Sequence, residues 1–296
     1  MSAFSPRSVR PLALLLILAG CGGETALETM QKELPPKEPA AALPPAASPP
    51  PPPAPADDND PCAPEMELVA GQYCITAEQR CIAYQNIPSE GGKIIPNQCT
   101  RFARPVTCFQ ERRKPLRFCM DRYEWPNKKD ELPRTLVSWQ DARAACESVE
   151  KRLCTEEEFN FACEGEEMRP YVYGYARDAS MCNFDKPYRP RTYTFLAHDA
   201  CMASPSCRAA YEAIDQRIPA GSMESCRSPE GIYDLNGNAN EWVMIPGAKS
   251  PHRSGIKGGW WGPVRDRCRP TVTFHDEGDF GYEVGFRCCS EAKALP

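Results

Sequence analysis

The chain has 296 residues and a formal net charge of −5, from 35 Lys and Arg against 40 Asp and Glu. Proteins that hold nucleic acid through its phosphates present a strongly basic face. The acidic balance argues against that class of function, and we expect no nucleic-acid partner.

Residues 1–20 are predicted to be a lipoprotein signal peptide. Two arginines precede an apolar run at 12–18, which is too short to cross a bilayer. The run ends in Leu-Ala-Gly-Cys at 18–21, a string that looks like a bacterial lipobox. We therefore expect a lipid on Cys21 that anchors the protein in the bacterial cell envelope, facing an oxidising compartment at the outer membrane or in the periplasm. The alternative is an ordinary signal peptide cut after Gly20.

Three further segments are predicted from composition. Residues 21–61 form a proline-rich tether, because their proline runs favour polyproline II and cannot build a core. Residues 62–116 form a cysteine-rich extension in which we expect little regular secondary structure. The extension is interpreted as packed on the main domain or, alternatively, as a separate disulfide-stapled module. The main domain is predicted to span residues 117–290.

Cysteine usage favours a disulfide framework in an oxidising compartment. The chain has 17 cysteines, and setting the lipidated one aside leaves 16, enough for up to eight bridges. A zinc site is the competing interpretation. The sequence has no paired C-x-x-C motifs and only three, widely spaced histidines, so disulfides are favoured.

Two helices are predicted from their capping patterns. Ser138, with an aspartate three residues later, forms a capping box whose helix is expected to run to about Glu150. Thr155, with a glutamate three residues later, forms a second box, and its helix is expected to end near residues 163–165. Acidic residues fill the first turn of the second helix, where the helix dipole favours them.

Five strings combine glycine, aromatic and acidic residues in a characteristic order. They are VSWQDA at 137–142, KRLCTEEEF at 151–159, GIYDLNGNANEWV at 231–243, KGGWW at 257–261 and GFRCC at 285–289. Together they resemble the formylglycine-generating-enzyme, or sulfatase-modifying factor, domain family. The resemblance covers residues 117–290 and implies an α+β fold related to C-type-lectin-like domains, with little regular secondary structure and many disulfides. In that fold we expect Trp139, Trp242, Trp260 and Phe286 to be buried.

The family's catalytic centre is a pair of cysteines five residues apart that bind Cu(I), activate dioxygen and oxidise a client cysteine to formylglycine. Two thiolates suit a soft monovalent metal. Counting from Gly258, Cys268 matches the second cysteine and Pro263 stands at the first. A proline cannot ligate copper, so Cu(I) is not expected and Cys268 is only a candidate catalytic residue. We expect Cys268 to be one half of a structural disulfide instead.

The resemblance further implies a disulfide between Cys146 and Cys288. Cys163 matches a second structural cysteine of the family, but the usual partner position is Thr273 here. Cys163 must therefore have a different partner. The candidates are Cys268 and Cys182.

A structural Ca²⁺ is the cofactor that the resemblance implies. The matching ligands are the side chain of Asp234, the carbonyls of Gly237 and Ala239, and the carboxylate of Glu241. Calcium takes six or more oxygens, and a loop rich in Gly and Asn can aim carbonyls inward. The alternative is a plain turn with solvated acids. A second, weaker site matches Asn183, Phe184 and Asp199.

Three arginines alternate with other residues downstream of the tryptophan pair, at Arg265, Arg267 and Arg269. In a strand they would share one face. One interpretation is surface charge that is paired with nearby acids. The other is recognition of an acidic group in the former substrate cleft.

These features favour an envelope-anchored lipoprotein whose domain is a calcium-stabilised, non-catalytic binding module. Its expected partners are the membrane, through the lipid anchor, and an unidentified peptide, glycan or envelope protein. The alternative is a formylglycine-generating-type oxidoreductase or a related protein-modifying enzyme that uses Cys268. A count of free thiols separates the two, because the module leaves none free.

Overall fold

The computed structural model describes residues 60–88 and 93–294. The predicted signal peptide, the lipidation site at Cys21 and nearly all of the tether lie outside these residues. Within the described part of the chain, no helix is both long enough and apolar enough to cross a membrane.

Four helices and eleven strands make up the described structure. The helices are α1 (Trp139–Glu147), α2 (Glu156–Glu164), α3 (His198–Ala203) and α4 (Pro205–Ile214). The strands before α1 are β1 (Met66–Cys74), β2 (Ala77–Glu78), β3 (Cys81–Pro88), β4 (Ile94–Phe102), β5 (Thr107–Cys108) and β6 (Arg113–Asp121). The later strands are β7 (Arg152–Leu153), β8 (Asn240–Met244), β9 (Ser254–Lys257), β10 (Val284–Phe286) and β11 (Cys288–Glu291).

A four-stranded antiparallel sheet in the order β1-β6-β11-β7 joins the beginning of the described chain to its end. All nine residues of β1 pair with β6, so the cysteine-rich extension is a structural part of the domain. The expectation of sparse secondary structure at 62–116 is therefore wrong. The predicted boundary between residues 116 and 117 falls inside β6, because this strand pairs with both the extension and the C-terminal strand.

A second sheet, in the order β10-β8-β9, brings the three C-terminal strings together. β10 runs parallel to β8, with Gly285 beside Glu241, and β9 runs antiparallel to β8. A Cβ at Gly285 would lie 2.5 Å from the carbonyl oxygen of Arg134, so this strand approaches the 134–135 backbone too closely for any other residue. Sequence strings that are more than 40 residues apart thus form one buried unit.

Both predicted capping boxes are present. The Ser138 side chain accepts the Asp141 N–H and the Asp141 carboxylate accepts the Ser138 N–H. Thr155 and Glu158 make the equivalent pair at the start of α2, which ends at Glu164 as expected. The first helix is shorter than predicted: α1 ends at Glu147, before Glu150.

Eight disulfides pair all 16 cysteines of the described residues. They are Cys62–Cys119, Cys74–Cys108, Cys81–Cys99, Cys146–Cys288, Cys154–Cys289, Cys163–Cys268, Cys182–Cys226 and Cys201–Cys207. The Cys146–Cys288 pair is the one that the resemblance implies, and Cys163 takes Cys268 rather than Cys182. The adjacent Cys288 and Cys289 bind separate partners.

The core is built around the aromatic residues of the family strings. Trp139, Trp242 and Phe286 pack in one cluster beneath the second sheet. Trp260 and Trp261 belong to another cluster, which holds the Cys201–Cys207 disulfide. All five of these rings are buried, as predicted for Trp139, Trp242, Trp260 and Phe286.

The hairpin formed by β3 and β4 is a separate two-stranded sheet, closed by the Cys81–Cys99 disulfide. Its pairing contains register shifts, and both strands expose apolar side chains, including Tyr84 and Ile94. β4 also bonds to the segment around Arg177, whose N–H donates to the carbonyl of Thr100 at 2.7 Å. This contact holds the hairpin beside the segment that follows the KGGWW string.

Candidate functional site

A buried charge cluster, the Arg287 cluster, lies at the junction of the two sheets. It consists of Glu124, Asp234, Glu241 and Arg287. Arg287 donates from Nε and Nη2 to the two carboxylate oxygens of Glu241, at 2.7 Å each. The same guanidinium donates to the backbone carbonyls of Tyr233 and Asp121. Both side chains of the ion pair are 1% exposed, so the pair is inaccessible to solvent.

Glu124 is a member of this cluster that sequence reasoning missed. Its carboxylate accepts the N–H of Ala239 at 2.9 Å and the side-chain amide of Asn238 at 2.7 Å. Burial, with the nearby carboxylates of Asp234 and Glu241, raises the pKa of Glu124 well above its usual value. The only signal in the sequence was an acid within the aromatic stretch at 121–126.

Asp234 is the member with an unsatisfied oxygen. Its Oδ2 accepts the N–H of Gly221 at 2.7 Å, whereas the buried Oδ1 has no hydrogen-bond partner. Burial raises the pKa of Asp234 to about 6. Three buried carboxylates face one guanidinium, and this leaves an excess of negative charge when all are ionised.

The loop at 234–241 was predicted to hold Ca²⁺, and the structure fits that ion in part. Asp234 offers a buried, unpartnered oxygen, and positive φ values at Asp234, Gly237 and Asn238 give the loop the turn that aims carbonyls to one side. Glu241, in contrast, has both oxygens bonded to Arg287. No group of three or more His, Cys, Asp or Glu side chains in the described segments is arranged to hold a metal. A cation here would rest on Asp234 and backbone oxygens such as those of Gly237 and Ala239.

The residues of the weaker predicted calcium site are not joined by any hydrogen bond. Asn183 is buried, and its amide nitrogen donates to the Asn238 side chain at 3.0 Å. Phe184 is in the core. Asp199 is exposed on α3 and pairs with Arg134 at 2.9 Å. Asn183 thus belongs with the 234–241 loop, while Asp199 makes a surface ion pair.

The segment that matches the family's catalytic cysteines contains no free thiol. Cys268 is fully buried and is bonded to Cys163 of α2. Its backbone N–H donates to the carbonyl of Pro170 at 2.9 Å. Pro263 is buried at the other position of the pair. The place of the oxidase centre is therefore filled by a cross-link and a proline ring.

Comparison with known proteins now fixes the family. The profile of the sulfatase-modifying factor enzyme 1-like domain matches residues 71–292. The chain belongs to this family. The match begins within the segment predicted as an extension, in keeping with the pairing of β1 and β6. Its range covers most of the α+β fold described above.

The curated relatives of this sulfatase-modifying-factor-type domain include proteins named inactive C-alpha-formylglycine-generating enzyme 2. The one from Bos taurus is 30% identical over 176 residues, which cover 57% of this chain and 54% of that protein. The one from Mus musculus is 29% identical over 176 residues, covering 56% and 51%. The chain spans about half the length of these relatives.

Solved structures with a similar fold include two proteins of low sequence identity. PvdO from Pseudomonas aeruginosa is 17% identical with a TM-score of 0.44, covering 78% of this chain and 97% of that one. CarF is 16% identical with a TM-score of 0.43, covering 77% and 99%.

The segment of this sulfatase-modifying-factor-type domain that matches the family's catalytic cysteines contains another buried acid, Asp266. Its Oδ2 accepts Nη2 of Arg177 at 2.6 Å, and the same guanidinium makes a bidentate pair with Asp185. Burial raises the pKa of Asp266 to about 7. Gly259 has a positive φ, and a Cβ there would lie 1.9 Å from Oδ1 of Asp266. The glycine of the family string thus makes room for this acid.

The three alternating arginines do not lie in a strand, so the condition under which they would share one face is not met. The segment from 264 to 270 is irregular. Arg269 turns inward, donating from Nε to Glu164 at 2.7 Å and from Nη2 to the carbonyl of Cys74 at 2.6 Å. Arg267 lies over the Phe102 ring at 5.2 Å, and Arg265 is exposed. The three side chains thus have three different surroundings.

Two hollows of about 320 and 380 Å³ lie beside the β3–β4 hairpin, and we call them together the hairpin groove. They share Gln85, Arg177 and Asp185 as lining residues. The rest of the lining comes from Ala83, Asn86, Ile87, Pro88, Thr100, Arg101, Ala176, Lys186, Pro187, Tyr188 and Pro263. One wall of the groove is the β3–β4 hairpin, and the other consists of residues 176–177 and 185–188 together with Pro263.

A larger cavity of about 930 Å³ lies between the 188–195 segment and residues 275–284. Its walls carry aromatic rings, among them Tyr193 and Phe280. Its charges are of both signs: Arg191 lies over the Tyr282 ring, and two acids, Asp279 and Glu283, also line the cavity. The lining thus holds one more acid than arginine.

Proposed function

We propose that this domain is a non-catalytic binding module. The observation that carries the proposal is the buried Cys163–Cys268 disulfide, which occupies the position of the family's redox pair together with Pro263. Oxidation of a client cysteine needs a thiolate that can reach metal and substrate. Cys268 has neither a free thiol nor access to solvent. The word "inactive" in the names of the two mammalian relatives supports the same function.

The direct test offers the purified protein Cu(I), dioxygen, a reductant and a Cys-x-Pro-x-Arg peptide. We expect mass spectrometry to detect no aldehyde, and thiol titration of the folded protein to find no free cysteine at residues 60–294. A catalytically active member of the family serves as the positive control. Aldehyde formation that disappears in Cys268→Ser, with the fold intact, would overturn the proposal in favour of an oxidoreductase.

We also propose that the module is held at the bacterial cell envelope by a lipid on Cys21. The lipobox-like string supports this anchor. The disulfide content is that of proteins in an oxidising, extracellular-type compartment. Cys21→Ala should abolish acyl labelling and release the protein from membranes without detergent. A variant that stayed on the membrane would show that the anchor lies elsewhere.

A structural Ca²⁺ bound at Asp234 is the cofactor we propose, with the carbonyls of Gly237 and Ala239 as further ligands. The unpartnered Oδ1 of Asp234 and the excess of buried negative charge around Arg287 support it. When bound, the ion supplies charge compensation to a loop that is otherwise rich in buried acids. Its role is structural, so the binding surface must be sought elsewhere.

A further inference from the structure

The hairpin groove carries cations that have no acidic partner within the protein. Arg101 and Lys186 line it, and Arg265 lies two residues beyond Pro263 on its edge. None of these three side chains, and likewise not that of Arg267, has a carboxylate within salt-bridge distance among the described residues. The two acids in this region, Asp185 and Asp266, are both engaged by Arg177.

This distribution of charge is opposite to that of the whole chain. Three cations, Arg101, Arg177 and Lys186, against one carboxylate, Asp185, give the lining of the groove an excess of two positive charges, in a protein whose formal net charge is −5. Arg265 and Arg267 follow the lining residue Pro263 in the chain and add further positive charge to this region. Burial, with the nearby Arg177, lowers the pKa of Arg267. A partly buried cation without an acidic partner is unfavourable, and an anionic ligand would compensate its charge.

The shape of the groove adds a second, independent indication. β3 pairs only with β4 among the described strands, so its other edge has no strand partner. Gln85, Asn86, Ile87 and Pro88 of this strand form one wall of the larger hollow. An unpaired strand edge presents N–H and C=O groups to which an extended peptide can bond. Arg101 lines the smaller hollow and Lys186 the larger one, so the two unpaired lining cations belong to different parts of the groove.

We propose that the hairpin groove binds an extended, acidic segment of a partner polypeptide. The segment adds to the free edge of β3, and its carboxylates lie against Arg101, Lys186, Arg265 and Arg267. This inference rests on the proposed binding function and names its ligand class. It makes the former catalytic segment one wall of a docking surface, with no chemistry at Cys268.

The test measures fluorescence anisotropy of a labelled peptide of alternating Glu and Val, with the full exported protein. A peptide with Gln in place of Glu controls for charge, and an N-methylated Glu peptide controls for strand addition. We expect binding of the Glu peptide that weakens as salt is raised, because exposed charge pairs are screened. The Gln and N-methylated peptides should bind at least about tenfold more weakly, since each removes several polar contacts.

Two charge reversals locate the site. Arg265→Glu should weaken binding about fivefold, and combination with Arg101→Glu should weaken it further. The matched control is Arg208→Glu on α4, an exposed arginine without an acidic partner among the described residues, which changes the net charge by the same amount. It should leave the affinity unchanged within about twofold. Melting curves check that all three variants fold.

Three results would overturn the inference. They are equal binding of the Gln peptide, equal weakening by Arg208→Glu, and binding of tripolyphosphate at this site without binding of the peptide. Retained binding of the N-methylated peptide would overturn the strand addition. None of these results bears on the aldehyde assay, so failure of the peptide site and failure of the non-catalytic function remain distinguishable.

Discussion

The Arg287 cluster and the hairpin groove both contain several charged side chains, but the two sets differ in burial and in ion pairing. In the cluster, the acids are buried and Glu241 is fixed by two hydrogen bonds from Arg287. In the groove, cations such as Arg265 and Lys186 lie open and unpaired. The family strings supply Asp234, Glu241 and Arg287 of the cluster, while the residues that line the groove lie outside those strings. We therefore expect the first region to maintain the fold, and we propose that the second defines what this member binds.

The largest difference between the regions should appear in stability. Arg287→Met leaves the buried acids without their counter-ion, and breaking such a pair costs about 3–5 kcal/mol. Arg265→Glu should change the free energy of unfolding by less than about 0.5 kcal/mol, as exposed substitutions usually do. Urea denaturation of both variants makes the comparison. Similar losses for the two would show that the groove is also a structural element.

The Cys163–Cys268 disulfide is expected to stabilise the fold, as the Arg287 cluster does. Replacing both Cys163 and Cys268 by Ser should cost about 2–5 kcal/mol, the usual value for a native bridge in an exported domain. The double variant avoids a stray thiol and should retain affinity for the acidic peptide, because the groove uses neither sulfur. Unfolding curves and anisotropy measure the two quantities. Loss of peptide binding in a folded double variant would place the bridge in the binding machinery.

Chelation tests whether the proposed Ca²⁺ at Asp234 stabilises the folded protein. A ligand that binds only the folded state stabilises it, by about 2.7 kcal/mol at a hundredfold excess over its dissociation constant. Chelation by EDTA should therefore lower the melting temperature of the wild type. Asp234→Asn should remove that sensitivity.

The variant Glu241→Gln shows whether Glu241 is a ligand of the proposed Ca²⁺ or only the ion-pair partner of Arg287. Since Arg287 occupies both oxygens of Glu241, this variant should melt lower while still responding to EDTA. An unchanged melting temperature of the wild type on chelation would count against the ion. Loss of the EDTA response in Glu241→Gln would make Glu241 a ligand after all.

The last prediction concerns the pH dependence of stability that comes from Lys257, which is buried. Its ammonium donates to Asn160 Oδ1 at 2.6 Å and to the Arg269 carbonyl at 2.7 Å. Burial, which outweighs attraction by Glu156 and Glu164, lowers the pKa of Lys257 to about 7. An unfolded lysine titrates near about 10.4.

The sign of the pH effect follows from these two pKa values. Between about pH 7 and pH 10 the unfolded chain holds more protons at Lys257 than the folded one, so the free energy of unfolding rises with pH. Below that range the cost of the buried charge is fully present. Lys257→Met should therefore show a flatter melting temperature across this range than the wild type. Parallel pH profiles for the two proteins would contradict the lowered pKa.

Local patterns and family strings predicted one part of this molecule well. The caps at Ser138 and Thr155 depend on residues three positions apart, and such contacts can be read directly from sequence. The burial of Trp242 and the Cys146–Cys288 bridge followed from the resemblance. In each case the information was either local or carried by a motif.

What could not be predicted depends on long-range partners. β1 forms because β6 pairs with it across about 39 to 55 residues, although its composition suggested a loop. Glu124 lies more than 100 residues from Asn238 and Ala239, which it joins. The arginines after Pro263 alternate like a strand, but Arg269 has a buried acid to satisfy and the backbone bends toward it. Tertiary contacts overrode the local pattern at each of these places.

The order of the cysteines has a consequence for how this protein is made. Only two of the eight disulfides in the described residues join cysteines that follow one another in the chain, Cys81–Cys99 and Cys201–Cys207. The others are nested or interleaved. Two of them form only after β11 has been synthesised, because Cys146 pairs with Cys288 and Cys154 pairs with Cys289. An oxidant that closed each bridge as the chain emerged would trap wrong pairs, and thiol–disulfide exchange is the reaction that releases them. Recombinant production should therefore depend on an isomerase in the secretory compartment as well as on an oxidase.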